Sequence, residues 1–439
     1  MKVLSVQNSP CTRNCKVSEA LRGRGHTVHA GFPALHVTTM TVGGKWCIGN
    51  DEGMVVCGWD GKPMVFGHEV DAGMAAYLVS VSTGAVHRAV RQEVVGHSLC
   101  DPFTNKCHRT KDGKQVVFKT REEADAEAWR HEVQLIGHYF DELRLFNNPH
   151  DVWDALGYYD VVLCHNFPDQ MTSLVGAGPD VPMVAVWHDY YPITKNNHAI
   201  KEQADATKKC HAHAWVSPPQ KRYADATYPW AGTEPYIYLP NYTSELAIER
   251  GWAEDVEKLP ADEIHAVYMG GLVSGEDPSG EVNHYNLESV FRMLSGKGIH
   301  VHMLCNRNSR DYYRKLADTS KYLHWEEAVA AEDIVKALRR YHLGLCYLNK
   351  NEVNTFQVEA SLPNKLFEYL AAGLPVATMS GATSIAEFIG ESGCGVICEP
   401  EKLDPDPSWL QKIKVAPPDA YTYSGHIHEL ERLMEDVVH

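Results

Sequence analysis

Short apolar runs, each closed by polar residues, alternate with helical patterns along most of the chain. Lys2–Val6 alternates and is rich in β-formers, and Asn8-Ser9-Pro10 breaks it. Ser18–Arg24 reads as a helix ended by Gly25-His26, and Val28–Gly31 reads as a second strand. This is a βαβ opening, the start of a doubly wound sheet. From about 36 to 118 the pattern changes. Glycines interleave with β-branched residues, and strand pieces at Met54–Cys57, Met64–Phe66 and Val116–Phe118 are separated by Asp60-Gly61 and Asp112-Gly113. Asp-Gly pairs are hairpin signals, so this stretch predicts an antiparallel, β-rich insertion. Glu122–Phe140 follows with the period of an amphipathic helix.

The α/β rhythm then resumes. Asp160–Cys164 runs into His165-Asn166, Met183–Trp187 into His188-Asp189, Ala214–Ser217 into Pro218-Pro219, and Tyr236–Leu239 into Pro240-Asn241. Apolar strands with polar carboxyl ends suit a parallel sheet whose ligand crevice lies at those ends. After a linker at Glu254–Asp262 the pattern repeats. Strands are expected at His265–Met269, His300–Leu304, Leu343–Leu348 and Pro375–Thr378, with helices at Leu287–Gly296, Ile334–Tyr341, Asn364–Ala372 and Gly425–Val437. Two doubly wound domains are predicted: 1–240, carrying the insertion at about 36–118, and 241–420. A terminal helix at 421–439 is expected to pack back on the first domain.

Composition narrows the class. The chain has 439 residues, 44% hydrophobic and 22% charged, which is ordinary for a globular protein and excludes a fibrous or disordered one. Its longest apolar runs fall far short of the roughly 18 residues that span a bilayer. A net charge of −16 argues against loose, charge-driven binding to nucleic acid or anionic membrane. The local basic run Lys106–Lys119 is the exception that keeps a nucleic-acid acceptor open. Val-Leu-Ser-Val after Met1-Lys2 is too short for a secretory apolar segment, so a cytoplasmic protein with reduced thiols is expected. The 12 cysteines then read mostly as small buried residues. Cys47 with Cys57, and Cys100 with Cys107-His108, form the tightest groups, at spacings that match no common zinc pattern. Trp46, Trp59 and Phe66 make either a docking face or a small core for the insertion.

The most informative stretch is Ser361-Leu-Pro-Asn-Lys-Leu-Phe-Glu-Tyr-Leu-Ala-Ala-Gly-Leu-Pro-Val376. Pro363 fits a first helical turn, and Gly373 and Pro375 end the helix. Asn364 and Lys365 then stand at a helix N-terminus, where free amides and the helix dipole favour an anion. Glu368 is three residues beyond Lys365, on the same face. A lysine for phosphate and a carboxylate for a ribose diol suit a nucleotide diphosphate. The same residues also suit a structural i, i+3 ion pair.

This stretch closely resembles the donor-site motif of GT-B glycosyltransferases, particularly the retaining branch called family 4. The resemblance implies two Rossmann-like domains facing a cleft, a UDP- or GDP-sugar held by the second domain, and neither cofactor nor metal. By position, Lys365 would contact the donor phosphates and Glu368 the nucleotide ribose, with Ser361 and Asn364 beside them. Tyr268-Met-Gly-Gly-Leu272 resembles the turn that opens the second domain and places Gly270 and Gly271 near the donor. Pro240-Asn241, Ala214–Pro218, Val184–Asp189, Thr383–Glu387 and Gly393-Cys-Gly395 resemble further family segments. The resemblance covers most of 1–35 and 155–439.

Three departures stand out. Gly271 occupies the position of the family's usual arginine, Glu276 and Asp277 fill the loop of its usual lysine, and Ala360 holds the place of the first of two paired glutamates. Lys365, Arg307 or Arg310 would then meet the phosphate charge, and Glu359 or Glu352 the sugar hydroxyls. His188 and Asp189 are the candidate catalytic pair, orienting acceptor or sugar. His165 and Asn166 are candidates on the acceptor side. The implied activity is hexosyl or pentosyl transfer, with a glycan, a lipid-linked sugar or a small molecule as the expected acceptor. A base in nucleic acid as acceptor, a GT-B epimerase, and a sugar-nucleotide binder without turnover are the alternatives.

Overall fold

The computed structural model describes residues 1–6, 12–33, 36–41, 46–50, 65–66, 87–91, 94–100, 140–146, 149–166, 172, 175–178, 180–188, 208–227, 233–274, 283–305, 310–327, 329–352 and 354–439. The expected helix at 122–140, the basic run at 106–119, Cys57 and Cys107 lie outside the described residues, apart from Phe140.

The strands of the amino-terminal half are β1 (Lys2–Val6), β2 (Thr27–Pro33), β3 (His36–Thr41), β4 (Trp46–Asn50), β5 (Val65–Phe66), β6 (His87–Arg91) and β7 (Val94–Cys100). They are followed by β8 (Glu142–Phe146), β9 (Val161–Asn166), β10 (Met183–Trp187), β11 (Ala212–Trp215) and β12 (Tyr236–Tyr238). A seven-stranded sheet has the order β12-β11-β10-β9-β1-β2-β8. Its pairs β1–β2, β2–β8, β10–β11 and β11–β12 are parallel. Between β2 and β8, β3 pairs with β7, and β4 pairs with β5 and β6, all antiparallel.

The second sheet comprises β13 (His265–Gly270), β14 (His300–Cys305), β15 (Leu323–Glu327), β16 (Leu343–Leu345), β17 (Val376–Thr378) and β18 (Gly395–Ile397). Its order is β15-β14-β13-β16-β17-β18, and every pairing is parallel. The chain winds outward from β13 to β15, then returns to place β16 on the other side of β13. That reversal is a topological switch point, where α/β sheets open a crevice at their carboxyl ends.

The described helices are α1 (Thr12–Gly23), α2 (Pro149–Leu156), α3 (Pro218–Thr227), α4 (Glu245–Trp252), α5 (Glu288–Gly296) and α6 (Arg310–Ala317). The series continues with α7 (Ile334–Leu338), α8 (Thr355–Ala360), α9 (Asn364–Ala371), α10 (Thr383–Ser392) and α11 (Tyr423–Val438). The architecture is thus α/β, with two mainly parallel sheets and helical crossovers. Packing divides the chain into two compact units, one of residues 1–11, 27–162 and 170–181, the other of 12–26, 163–169 and 182–439.

In the larger unit, one core forms over the second sheet from Tyr268, Phe291, Val301, Tyr313, Leu343 and Tyr347 among others. Gly344 on β16 is required by packing, since a Cβ there would stand 2.4 Å from the Tyr369 ring of α9. This contact seats α9 on the sheet. The terminal helix α11 has Thr422 as its N-cap, accepting from Gly425 N–H. It buries Ile427, Leu430 and Met434. Its Glu431 binds Arg24 just beyond α1 and His26 Nε2, the latter at 2.7 Å.

Candidate functional site

The site is built around α9 and the end of β13. Pro363, in extended conformation, is the N-cap of α9, so the helix starts at Asn364, the residue where it is expected to start. No side chain caps this end. Lys365 is 6% exposed, deep for a lysine. Its Nζ stands 3.9 Å from the centre of the Tyr268 ring, within cation–π range. Gly270, which closes β13 at φ +126°, brings the backbone against it, since a Cβ there would lie 3.5 Å from Nζ. That φ is accessible to glycine alone without strain.

Among the described residues Lys365 Nζ has no hydrogen-bond partner. Nor has the buried Oδ1 of Asn364 beside it. Burial pulls the Lys365 ammonium down to about 8. The Glu368 carboxylate one turn on opposes that fall. Neutral groups line the rest: burial pushes the Cys305 and Cys346 thiols up to about 12 and holds His284 down at about 4, the lysine's own charge adding to the latter. A cation without a hydrogen-bond partner in a poorly solvated wall attracts an anion far more strongly than it would in water.

Glu368 is also buried, but its partner is not Lys365. Its Oε1 accepts from Lys16 Nζ on α1 at 3.0 Å, and both side chains are under a tenth exposed. Three residues earlier on α1, the buried Arg13 donates to the carbonyls of Trp187, at 2.5 Å, and Leu239. Arg13 and Lys16 thereby anchor α1 to the ends of β10, β12 and α9. Sequence reasoning missed both. The available signal was two basic residues at i, i+3 in the helix after the first strand, which share one face.

His165, near the end of β9, is fully buried, and neither ring nitrogen has a partner among the described residues. Burial and the Arg13 charge depress it to about 3. His188 follows β10 directly. Burial lowers it well below the ordinary histidine value, helped by Arg13, His165 and Lys16. Both imidazoles are therefore neutral at physiological pH and suited to hydrogen bonding rather than to charge. The His188 carbonyl accepts from Gln220 Nε2 at 3.3 Å, fixing the strand end. Asn166 closes β9, while Asp189 and Arg307 lie outside the described residues.

The other expected residues have partners within the protein. Glu359 accepts from Lys350 Nζ at 2.8 Å and from the Tyr223 hydroxyl at 2.6 Å, which together hold its carboxyl below the usual range. Arg310 and Arg314 both donate to Glu327 Oε1, at 2.7 and 2.6 Å. Glu352 is exposed on a turn. Ser361 ends α8 in an extended conformation, flanked by two ties: Ser217 Oγ donates to the Ala360 carbonyl and Asn241 Nδ2 to that of Leu362. Gly271 accepts at its carbonyl from the Tyr268 hydroxyl at 2.9 Å, which fixes the turn after β13.

No helix among the described residues is long and apolar enough to cross a membrane. No family model matches the chain, and no curated protein matches its sequence. Among solved structures, it is similar to a sucrose-phosphate synthase from Thermosynechococcus elongatus, with 11% identity and a TM-score of 0.47 over 100% of this chain and 99% of that one. It is similar at the same identity and score to AviGT4, a glycosyltransferase involved in avilamycin A biosynthesis, over 100% of this chain and 98% of that one. A UDP-GlcNAc 2-epimerase from Neisseria meningitidis bound to UDP-GlcNAc matches at 11% identity and TM-score 0.47, over 99% of this chain and 100% of that one.

Proposed function

We propose that this chain is a GT-B glycosyltransferase that moves a sugar from a nucleotide diphosphate sugar to an acceptor with retention of configuration. The observation that carries the reading is the buried Lys365 ammonium, without a hydrogen-bond partner among the described residues, at the start of α9 and beside the Gly270 turn. The motif Ser361–Val376 supports it, because Lys365 holds the motif position that the resembling family uses for its donor phosphates.

Transfer breaks the bond between the anomeric carbon and a phosphate oxygen. The acceptor oxygen takes its place, and the acceptor proton leaves with the phosphate. Negative charge grows on the leaving diphosphate, and stabilising it lowers the barrier. Lys365 and the first amides of α9 do this here, while Lys16 holds the nearby Glu368 carboxylate. Asn364 Oδ1 is an acceptor for a hydroxyl of the bound nucleotide sugar. Neutral His188 and Asp189 orient the reacting groups, and His165 and Asn166 stand on the acceptor side. Glu368 reaches the ribose with the carboxylate that Lys16 already holds in place.

A second reading is a sugar-nucleotide-binding protein without turnover. It is favoured by Gly271 in the position of the family's arginine and by the internal pairing of both Glu359 oxygens. A panel of UDP- and GDP-sugars scored by thermal shift, followed by a nucleotide diphosphate release assay with candidate acceptors, separates the two. Acceptor-dependent release supports transfer. Binding without release supports the second reading, and absence of any shift removes both.

A further inference from the structure

The amino ends of the same strands carry a second cluster of chemistry-bearing side chains. β13 opens on His265 and β14 on His300, and the parallel register sets the two opposite each other. The register of β14 with β15 likewise sets His302 opposite His324. Glu263 stands two residues before His265. One ligand atom from each of Glu263, His265 and His300 lies within 4.8 Å of the other two. A six-residue strand is about 16–20 Å long, so this group stands well away from Gly270 and Lys365 at the other end of β13.

The hydrogen bonds fix the tautomers. His302 Nδ1 lies 2.9 Å from Glu326 Oε1, and an ionised carboxylate only accepts, so Nδ1 carries the proton. His302 Nε2 is then an acceptor, and it receives His265 Nδ1–H at 3.0 Å. In neutral His265 the lone pair therefore sits on Nε2. That atom is buried and has no partner among the described residues. Burial keeps the ring neutral down to about 4, aided by neighbouring histidines. His300 Nδ1 contacts His324 Nε2 at 2.8 Å, and its Nε2 lies 2.9 Å from Glu263 Oε2.

We propose that Glu263, His265 and His300 bind a divalent transition-metal ion of the zinc class. Two imidazoles and one carboxylate are borderline donors that suit zinc, whereas magnesium and calcium take oxygen-only sets. His302–Glu326 and His324 supply the outer hydrogen bonds that hold ligating imidazoles in orientation. The His265 and His300 rings stack at 4.4 Å with planes 22° apart. By the same carboxylate rule His300 Nε2 holds its proton toward Glu263, so the ion takes that proton's place and His300 Nδ1–H then donates to His324 Nε2. One imidazole turns about its terminal torsion to aim both ligand atoms at the ion. Such sp³–sp² torsions are broad. The ion braces the segment before β13 to β14 and acts on stability rather than on the transfer reaction.

The test uses the full chain, stripped with a chelator and titrated with zinc against a chromophoric zinc indicator, with the unfolding midpoint followed in parallel. The expected result is one tightly bound equivalent and a midpoint that rises by several degrees. Glu263→Gln and His300→Gln should each weaken that equivalent at least tenfold. Glu263 is exposed, so its variant should fold, and a metal-free midpoint within a few degrees of the parent verifies that. Cobalt in place of zinc should give the visible absorption of a tetrahedral site, lost in both variants. The proposal is overturned if the parent takes up no zinc at micromolar concentration, or if both variants keep the equivalent undiminished.

Discussion

The two ends of the second sheet solve the burial of charge and polarity in opposite ways. At the amino ends, His265 contacts His302 and His300 contacts His324, and the group is joined to Glu263 and Glu326. Nearly every polar atom there has a neighbour. At the carboxyl ends, Lys365 is a buried cation with no hydrogen-bond partner among the described residues, and Glu368 is neutralised from elsewhere in the chain by Lys16. Leaving a buried ion unpaired is costly, and on the proposed reading the donor diphosphate offsets that cost. The proposal thus assigns the amino ends to stability and the carboxyl ends to a ligand.

Breaking the carboxyl-end arrangement should give the largest effects. Lys16→Met strands the Glu368 carboxylate in a buried place and should cost about 3–5 kcal/mol of stability in denaturant unfolding. Adding Glu368→Gln should recover most of it, because the cost is that of the stranded charge. A loss below about 1 kcal/mol would mean that the pair behaves like one at the surface. Lys365→Met, by contrast, removes a charge that the folded chain holds at a penalty. Stability should be unchanged or higher, while donor turnover should fall by about 10²–10³-fold, as when one transition-state donor is lost. Turnover within threefold of the parent would remove Lys365 from the donor site.

The contrast also shows what the sequence makes legible. The helix α9 is bracketed by Pro363, Gly373 and Pro375, all local signals, and the motif lies in one unbroken stretch. The strands His265–Met269, His300–Leu304 and Met183–Trp187 are short apolar runs, and they appear as β13, β14 and β10 with ends shifted by a residue at most. The helix α1 starts at Thr12, six residues before the expected Ser18, because Arg13, Asn14 and Lys16 are buried polar residues that mask the apolar period. The strand β15, Leu-His-Trp-Glu-Glu, alternates over four residues only, and at a sheet edge it carries two glutamates and a histidine that dilute its apolar signal. The Lys16–Glu368 pair joins residues 352 positions apart, and the histidine cluster depends on parallel register across β13, β14 and β15. Neither distance nor register is written in local pattern.

The two ends should also separate by pH. Lys365 titrates near 8 when folded and near 10.4 when unfolded, so the unfolded chain binds the extra proton between those values. Its contribution to stability therefore rises as pH climbs from about 8 to about 10. Donor affinity should move the other way, falling about tenfold per unit above pH 8 as the free protein loses the charge that holds the phosphates. Lys365→Met should abolish that slope. At the amino ends, burial holds His265 and His324 at about 4, with like charge on neighbouring histidines adding to it. The unfolded rings protonate near 6.5, so metal-free stability should fall as pH drops from about 6.5 to about 4. His324→Gln should flatten that acid limb and leave donor affinity alone, as measured by urea midpoints and calorimetry.

The smallest expected effect tests whether a nearby cation that already has a partner behaves differently from one that has none. Arg310 opens α6 soon after β14 and is a phosphate candidate by sequence, yet its guanidinium shares Glu327 Oε1 with Arg314. All three side chains are well exposed, at 41% for Arg310, 59% for Glu327 and 48% for Arg314. An exposed pair of this kind is worth about 0–1 kcal/mol, and Arg314 remains to hold Glu327 when Arg310 is removed. Arg310→Ala should therefore leave the urea midpoint nearly unchanged and donor affinity within about threefold of the parent, since each factor of ten corresponds to about 1.4 kcal/mol. A tenfold or greater loss of donor affinity in this variant alone would show that the arginine leaves Glu327 for the phosphates. The charge at the carboxyl ends would then be shared between two cations, and Lys365→Met would have to be read against an Arg310→Ala background.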